Sequence, residues 1–395
     1  MFGSMLVSHS ITWHITLQAQ SGSMVAVFTC AAMLPLVLVS PFAGVWADRY
    51  NRKYLVNISD AAIALVTLLV AILYASGMRD VWMLLAAVTV RSIGQGIQQP
   101  AVSALIPQIV PEEQLARFNG IQSAAQSLTM FAAPMAAGAL LTFLPIEQIF
   151  FIDVATAAIG IATVFFCVKV SRQIEQPQRR KAGIKAYTHE MAEGFRFIGD
   201  HSWLKTLFIA SALFGILASP AAMMTPLQVA RSFGDDVWRL TAVELAFSVG
   251  MMLGGIAVAA WGGFNNKAHT MVAAWLLFGI CTVLFGVIPN FWVYLAVMAF
   301  CGLSMPFFNT PAATLMQTKI PPNLMGRVFS VLMIINGLAM PLSMALFGPL
   351  GDAVKIERLL IITGALLIIG GFLLYRRREL IRAGAVQAPE KTTAE

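Results

Sequence analysis

A short charged turn at residues 44–53 constrains the fold of this chain more than any other stretch. It reads Gly-Val-Trp-Ala-Asp-Arg-Tyr-Asn-Arg-Lys and separates two long apolar segments, roughly residues 23–46 and 54–77. A helix needs about 20 mostly apolar residues to cross a bilayer, so both segments are long enough. The sequence therefore predicts two membrane-spanning helices whose connecting turn places three cations on one face of the membrane.

The composition indicates the same class of protein. Charged residues make up 11% of the 395 residues and hydrophobic residues 58%, whereas soluble domains carry about 25% charged residues. A soluble chain of this length could not bury so much apolar surface in one or two cores. The four cysteines lie in apolar runs without metal-ligand spacing, so we interpret them as small hydrophobic residues and expect no metal and no cofactor.

Further apolar runs predict a polytopic protein. They begin near residues 81, 118, 148, 203, 239, 269, 291, 328 and 359, which gives eleven full-length spans. A twelfth candidate, residues 2–17, covers only roughly 24 Å of a hydrocarbon core about 30 Å thick. It lacks the positive segment and the cleavage site of a signal peptide. We therefore expect a shortened first helix, because of either a misassigned start codon or a tolerated truncation.

The distribution of Lys and Arg predicts the orientation. With the first helix running outward, the cytoplasmic segments carry most of the cations, whereas the opposite segments carry five. Cytoplasmic loops are enriched in Lys and Arg, so both termini are expected in the cytoplasm of a multi-pass protein of the cell (inner) membrane. This bias also accounts for the net charge of +7 without a nucleic-acid partner. The five opposite cations are Arg79, Arg231, Arg239, Lys355 and Arg358.

A polar stretch divides the chain into two halves. We predict an N-terminal six-helix bundle over residues 1–171, a cytoplasmic linker over 172–202, a C-terminal six-helix bundle over 203–378 and a cytoplasmic tail over 379–395. In the linker, Met191, Phe195 and Ile198 follow the spacing of one helical face, which is typical of an amphipathic surface helix.

The two halves resemble each other in sequence. Pro100-Ala-Val-Ser, followed by Ile-Val-Pro-Glu-Glu-Gln-Leu-Ala-Arg117, recurs as Pro311-Ala-Ala-Thr, followed by Lys-Ile-Pro-Pro-Asn-Leu-Met-Gly-Arg327. A parallel repeat of six helices is typical of secondary transporters, which alternate by rocking one half against the other around a central site. The pattern thus predicts an all-α membrane protein that acts on a small-molecule substrate within the lipid bilayer.

Two other classes of membrane protein fit less well. The sequence contains no GxxxxGK[ST] phosphate-binding loop, so this chain alone is not an ATP-driven pump. A membrane enzyme would show clustered Asp pairs or a His/Glu metal set, but the pair Asp235-Asp236 falls in an outer loop and the five histidines are scattered. We therefore do not expect an enzyme.

Several motifs resemble the major facilitator superfamily. Gly44-x-x-x-Asp48-Arg49-x-x-Arg52-Lys53 is similar to its loop signature between helices 2 and 3. The resemblance extends to the drug:proton antiporter group that contains macrolide efflux proteins and the enterobactin exporter. It implies the major facilitator fold and proton-coupled efflux of a small amphipathic compound by a monomer. A siderophore or lysophospholipid carrier and a non-transporting sensor remain alternatives. The residues that carry the subgroup resemblance are Gln99-Pro-Ala101, Glu193-Gly-Phe-Arg-Phe-Ile198 and Gly326-Arg-Val-Phe-Ser330.

The resemblance implies a gating role for the charged turn. In the family, the aspartate that corresponds to Asp48 faces the N-terminus of helix 11, whose partial positive charge attracts an anion. Here that terminus lies near Arg327, so the two residues would close the cytoplasmic side, with Arg49 and Arg52 bracing neighbouring helix ends. The alternative is that these charges only set the topology.

A polar stripe crosses the fourth predicted span. Arg91 falls near mid-membrane, where a cation costs about 2.5–3.5 kcal/mol, so it should face the bundle interior or water. Gln95, then Gln98 or Gln99, follow at helical spacing. We interpret the stripe as cavity-facing and functional, and Arg91 also resembles the arginine of a family motif tied to proton coupling. Hydrogen bonding between helices alone is the alternative.

Proton coupling has three candidate carriers. Residues 128–138, which include Pro134, resemble the helix 5 motif that marks antiporters, and this favours antiport over uniport. Asp60, Asp153 and Glu244 lie within predicted spans, where carboxylates are candidate proton carriers. Each could instead be the structural partner of a cation, and the sequence does not choose among them.

Large flexible and aromatic residues are candidates for substrate contact. They lie on the seventh and tenth spans, which line the central cavity in the family that the chain resembles, and they suit a bulky, partly apolar compound. For each of them, plain helix packing is the alternative. The candidates are Met223, Met224, Phe307, Phe308 and Asn309.

Overall fold

The structure, a computed structural model, describes residues 2–168 and 184–385. The side chains that lie outside this description are those of residues 184–190 and of Val45, Asp48, Arg49, Glu112, Ala116, Pro322 and Asn323. The described residues form fifteen α-helices and no β-strand, which confirms the all-α prediction. The helices are α1 (Phe2–Ala19), α2 (Gly22–Arg49), α3 (Arg52–Ala75), α4 (Val81–Ile109), α5 (Glu112–Phe143), α6 (Ile146–Cys167), α7 (Ile184–Asp200), α8 (Ser202–Met223), α9 (Thr225–Ser232), α10 (Val237–Trp261), α11 (Lys267–Phe285), α12 (Phe291–Lys319), α13 (Pro322–Ala353), α14 (Ile356–Arg376) and α15 (Arg378–Gly384).

Ten helical stretches in the described part of the chain are long and apolar enough to cross a bilayer, with α8 and α9 forming one of them. Of the eleven predicted full-length spans, only α4 is not among these ten. It has 29 residues and is long enough, but Arg91 and its glutamines make it less apolar. The short twelfth candidate forms a helix, α1, of 18 residues, which is not among the ten stretches.

The predicted repeat has a direct structural counterpart. Helices α4 and α12 both contain 29 residues, and α5 and α13, which follow them, both contain 32. In each case the junction carries a proline, Pro111 or Pro321, which cannot donate a backbone hydrogen bond. The sequence landmarks therefore mark a break between two long helices in both halves.

Side-chain caps and prolines set the other helix ends. Asn51, Asp80 and Asn290 accept hydrogen bonds from backbone amides in the first turn of α3, α4 and α12. Such caps satisfy amides that have no partner within the helix. The seventh predicted span is interrupted at Met224, and Pro226 opens the next helix. Proline is favoured there because its missing N–H would be unpaired anyway.

The described chain divides into two compact units. The first contains residues 1–190, 223–245 and 340–353, and the second contains residues 191–222, 246–339 and 354–395. Each unit thus draws on both halves of the sequence. The division into two six-helix bundles joined by residues 172–202 stays a prediction, and residues 169–183 of that linker lie outside the described residues.

The first unit is built around α3 and α4. Helix α4 packs against α2 and α3, α3 also packs against α6, and α1 packs against α5 and α6. Trp13, Tyr74 and Phe150 are buried, and the rings of Tyr74 and Phe150 meet edge to face with centroids 6.2 Å apart. This packing brings the polar residues of α1, α3, α4 and α6 together.

The second unit is built around α11, which packs against α12 and α14. Phe214 stacks on Phe308 with ring centroids 5.2 Å apart, and it meets Trp275 edge to face at 5.2 Å. Helices α10 and α12 approach so closely that a Cβ added at Gly302 would collide with the backbone of Phe247. Small residues allow such close approach of helices in membranes.

Candidate functional site

A buried ion pair lies at the centre of the first unit. Arg91 of α4 donates to Asp153 of α6 with Nη1 and Oδ2 2.7 Å apart, and the side chains are only 5% and 3% exposed. The guanidinium also donates to the hydroxyl of Thr67 on α3 and, at 3.4 Å, to the carbonyl of Ser4 on α1. Four helices therefore meet at one charge-compensated cluster.

Helix α1 is fitted closely against this cluster. A Cβ added at Gly3 would lie 2.7 Å from Oδ1 of Asp153 and would also collide with the hydroxyl of Thr156. Only glycine lets the helix backbone approach so closely. The carboxylate of Asp153 is thus enclosed by α1 as well as by its partner Arg91.

The polar stripe of α4 continues away from Arg91. Gln98 donates a hydrogen bond to the carboxylate of Asp60 on α3, so two of the predicted residues are brought together. Gln95 and Gln98 are half-buried and Gln99 is exposed. The stripe therefore changes from a buried end at Arg91 to an accessible end at Gln99.

Glu244 lies on α10 one helical turn after a residue that contacts α5. Gly138 of α5 packs so closely against Thr241 that a Cβ there would collide with the threonine side chain. Glu244 follows Thr241 by about one helical turn on α10. Within the described part of the chain, its half-buried carboxylate has no hydrogen bond or ion pair. Pro134 is buried one turn before Gly138.

The charged turn joins three helix ends through its basic residues. Arg52 donates to the carbonyl of Ala47 at 3.0 Å, in the last turn of α2, and to that of Ala104 at 2.7 Å, before the last turn of α4. Lys53 donates to the carbonyls of Phe165 and Val168 at the end of α6, at 2.7 and 2.8 Å. Cations are favoured at helix C-termini, where carbonyls lack partners. The predicted roles of Asp48 and Arg49 concern side chains outside the described part.

Arg327 has a partner that the sequence did not suggest. Its guanidinium forms an ion pair with Glu193 of α7, and the side chains are 29% and 40% exposed. Gly194 lies against the backbone of α13, since a Cβ there would be 3.1 Å from the carbonyl oxygen of Arg327. Two segments that resemble the same subgroup, residues 193–198 and 326–330, are therefore in contact.

A second cluster that the sequence did not suggest surrounds Asp352 at the end of α13. Its carboxylate accepts hydrogen bonds from the backbone amides of Gly22 at 2.6 Å and Ser23 at 2.9 Å, and from the Ser21 hydroxyl at 2.9 Å. These groups form the N-terminus of α2, whose partial positive charge stabilises an anion. The carboxylate therefore binds the helix end through three donors.

Arg231 of α9 holds the same cluster from the other side. Its guanidinium lies 3.6 Å from the Asp352 carboxylate and donates to the carbonyl of Gly351 at 3.0 Å and to that of Gln20. The signals for this cluster were present in the sequence as isolated charges in the opposite loops. Their partner is separated from α2 by more than 300 positions, so no local pattern links them.

The candidate substrate residues differ in accessibility. Met224 and Phe308 are buried, and Phe308 belongs to the aromatic core with Phe214. Phe307 is half-buried beside Trp261, with ring centroids 6.0 Å apart. Met223 is half-buried and Asn309 is exposed. Met223 and Met224 belong to the first unit and the other three to the second, so their convergence on one cavity stays a prediction.

No group of three or more metal-ligating residues occurs among the described side chains. The carboxylates that stand out among the described helices lie in three places: beside Arg91, at Glu244, and at Asp352 near the end of α13.

Comparison with known proteins agrees with these features. The chain is 27% identical to Macrolide efflux protein A of Streptococcus pyogenes over 367 residues, which are 92% of this chain and 90% of the relative. It is 29% identical to Macrolide efflux protein A of Enterococcus faecalis over 324 residues, 82% of this chain and 99% of the relative. In fold it is similar to a bacterial homolog of the human lysosomal transporter Spinster in an inward-facing and unoccupied conformation, with a TM-score of 0.70 at 14% identity over 98% of both chains.

Family membership follows from the sequence and the fold together. The described helices include ten stretches that can cross a bilayer, and the repeated pair of long helices occurs in both halves. Residues 1–344 match the sequence model of the Major Facilitator Superfamily. The chain is therefore a multi-pass membrane transporter of small molecules that belongs to the Major Facilitator Superfamily.

Proposed function

We propose that this transporter exports small amphipathic, drug- or macrolide-like compounds in exchange for protons, by alternating access. The similarity to two proteins named for macrolide efflux supports the direction of transport and the class of substrate. The distribution of Lys and Arg supports a cell-membrane location with both termini in the cytoplasm. We expect the chain to work as a monomer.

The observation that best supports proton coupling is the half-buried carboxylate of Glu244, which lies within a predicted span. Asp153 is compensated by Arg91, and Asp60 accepts a hydrogen bond from Gln98. Glu244 has no such partner among the described residues. A charged acid inside the bilayer is costly, and an acid without a fixed partner can bind or release a proton without breaking an ion pair. We therefore assign the coupling role to Glu244.

The packing of α5 supports this assignment. As the fifth and eighth spans, α5 and α10 run in opposite directions across the bilayer. Pro134, one turn before Gly138, then lies at the level of Glu244, one turn after Thr241. A proline removes one backbone hydrogen bond and bends the helix. A change of charge on Glu244 would therefore act at a point where α5 is already bent.

Two carboxylates at helix N-termini would act as alternating latches. Asp352 binds the start of α2 at the end of the chain's spans opposite to the charged turn. On the cytoplasmic side we retain Asp48 as the second latch, with the start of α13 near Arg327 as its target and Arg49 and Arg52 as braces. Each latch stabilises one closed end through the same attraction of an anion to a helix dipole.

The substrate would use the accessible end of the α4 stripe. Gln95 and Gln99 offer amide donors and acceptors there, and Phe307 and Asn309 are the accessible candidates on α12. The buried Met224 and Phe308 would contact substrate only after a change of packing. An amphipathic compound needs both kinds of surface, since its apolar part gains from burial and its polar part requires hydrogen bonds.

Transport by inverted membrane vesicles tests this function. Vesicles containing the wild type should accumulate a fluorescent macrolide when an inside-acid gradient is imposed, and collapse of the gradient should release it. Glu244→Gln should retain exchange of labelled for unlabelled substrate but lose the gradient-driven accumulation. Glu147→Gln is the matched control, because that acid pairs with Arg79 at the mouth of α6.

Three results would contradict the proposal. Accumulation that is insensitive to the gradient would exclude proton antiport. Full gradient-driven accumulation in Glu244→Gln would exclude this residue as the coupling acid. Accumulation of a lysophospholipid or siderophore, with none of the macrolide, would replace the proposed substrate class by one of the alternatives.

A further inference from the structure

A cavity that none of the candidate site residues lines opens between α8, α11 and α14 in the second unit. It has a volume of about 470 Å³ and is lined at one end by Lys205 and Arg377 and along its length by apolar residues. The cavity walls come from the first turns of α8 and the last turns of α14. None of the three candidate clusters for transport contributes to it.

The polar end of the cavity carries an excess of positive charge. Lys205 and Arg377 are both exposed, and in the described part of the chain neither is engaged in an ion pair. Glu379 is the acid among the lining residues, so one positive charge remains uncompensated within the cavity. The polar end is therefore suited to an anionic group.

The remaining wall of the cavity is apolar and accessible. Ile209 is 58% exposed, Leu213 is 41% exposed and Leu373 is 56% exposed. On helices that span a bilayer such side chains face hydrocarbon, and a groove between them accommodates a chain of methylene groups. A soluble anion has no group that packs on this wall, whereas a membrane lipid can lay its acyl chain along it in van der Waals contact with these side chains.

The cavity lies at one identifiable membrane surface. Helix α8 begins at Ser202, directly after the linker, and α14 ends at Arg376, directly before Arg377 and Arg378, so both helix ends lie on the same side. The Lys and Arg distribution assigns that side to the cytoplasm. Basic pockets between membrane helices on the cytoplasmic side are suited to anionic lipid head groups.

We propose that this cavity is a binding site for an anionic phospholipid of the cytoplasmic leaflet. The lipid phosphate lies between Lys205 and Arg377, and one acyl chain runs along Ile209 and Leu213. The bound lipid contacts both α8 and α14, so it connects the first and the last membrane span of the second half. This site is distinct from the proposed path of the substrate and does not depend on its identity.

Native mass spectrometry of the detergent-purified transporter tests this site with phosphatidylglycerol as the probe and phosphatidylcholine as the neutral reference. Phosphatidylglycerol should bind in preference, and millimolar inorganic phosphate should not displace it. Lys205→Ala/Arg377→Ala should weaken its binding by about thirtyfold, since each cation near the surface contributes about a fivefold gain. The double variant Arg376→Ala/Arg378→Ala is the matched control, because it removes two neighbouring charges that do not line the cavity.

The outcomes distinguish a specific lipid-binding site from non-specific electrostatic attraction of anionic lipids. Equal weakening in both double variants would overturn the proposal, because it would indicate diffuse attraction to the arginines at the end of α14. Equal binding of the two lipids to the wild type would overturn it as well, since the cations would then have no role. Displacement by inorganic phosphate would reassign the cavity to a free anion.

Discussion

Arg91 and Asp153 form an ion pair in the interior of the first unit, with 2.7 Å between Nη1 and Oδ2. Thr67 on α3 and the carbonyl of Ser4 on α1 complete the hydrogen bonds of the guanidinium. Both charges are buried, so each depends on the other for compensation. The pair therefore joins α4 to α6, and the loss of either partner leaves a buried charge without compensation.

Removal of one partner should destabilise the fold strongly. Asp153→Asn leaves the Arg91 charge uncompensated, and a buried pair broken in this way costs about 3–5 kcal/mol. We expect the free energy of unfolding in detergent, measured by denaturant titration, to fall by this amount. Arg91→Ala should have a similar effect, and the double variant should lose less than the sum of the two.

Arg79 and Glu147 provide the matched comparison. They also form a pair with a 2.9 Å contact, but the Arg79 side chain is 58% exposed. The Glu147 side chain is 13% exposed, but solvent reaches the pair from the Arg79 side. Loss of such a surface pair costs about 0–1 kcal/mol, so Arg79→Ala should cost much less stability than Asp153→Asn. If Asp153→Asn were as stable as Arg79→Ala, the buried pair would not hold α4 and α6 together.

The sequence identified both members of this pair but not their contact. Each is a charge within an apolar run, and such a charge stands out in any hydropathy profile. The contact depends on which helices are neighbours, and helical periodicity within α4 carries no information about α6. The close packing of Gly3 against Asp153 could not be predicted either, since a glycine in an apolar helix has many possible roles.

The Asp352 cluster should control access from the side opposite to the charged turn. Asp352→Ala removes three hydrogen bonds to a charged acceptor, and each such bond contributes about 1.5–3 kcal/mol.

Cys30 of α2 is half-buried, with its sulfur 3.6 Å from the carbonyl oxygen of Pro341 on α13. Opening of α2 from α13 would expose this thiol. Alkylation of Cys30 by a membrane-impermeant maleimide, applied to intact cells, should accelerate by at least about tenfold.

Asp80→Ala is the control for the loss of a helix cap. Asp80 caps α4 by accepting a hydrogen bond from the amide of Trp82 at 3.0 Å, but it lies outside the Asp352 cluster. It should leave the alkylation rate of Cys30 unchanged. Equal acceleration in both variants, or none in Asp352→Ala, would exclude Asp352 as a latch.

The amphipathic helix α7 should detach when its glycine contact is filled. A side chain at Gly194 would push against the carbonyl oxygen of Arg327, whereas a side chain at Gly199 would meet open space. Gly194→Leu should therefore increase the rate of hydrogen exchange over residues 191–200, and Gly199→Leu should not. Both changes alter helix propensity equally, so the difference reports the contact. Equal exchange in the two variants would show that α7 does not depend on α13.

The amphipathic helix and the repeat were the parts of the fold that sequence patterns predicted best. The spacing of Met191, Phe195 and Ile198 predicted an amphipathic helix in the region of α7, and the segments that recur at Pro100 and Pro311 predicted the repeat to which α4 and α12 belong. Both depend on residues close together in the chain. The partners of Arg327 and Asp352 are remote in sequence, so they became visible only when the helices were packed.

The contact of Gly138 with Thr241 allows a test by compensation. A Cβ at Gly138 would lie 2.9 Å from Cβ of Thr241 and closer still to its hydroxyl, so Gly138→Ala should force α5 away from the start of α10. Overpacking of this kind costs about 1–3 kcal/mol. Gly120→Ala, on the same helix but facing open space, should have no such cost. Thermal unfolding in detergent would measure both.

Compensation then distinguishes this contact from a general effect on α5. Thr241→Gly creates the space that the new methyl group needs, so Gly138→Ala/Thr241→Gly should recover the stability and the gradient-driven transport that Gly138→Ala loses. Coupled neighbours give interaction energies of about 0.5–3 kcal/mol in such double-mutant cycles. Because Glu244 lies one turn beyond Thr241, recovery of transport would link the helix contact to the coupling acid. Additive losses in the double variant would mean that α5 and α10 are independent at this point, and the motif around Pro134 would then have no part in coupling.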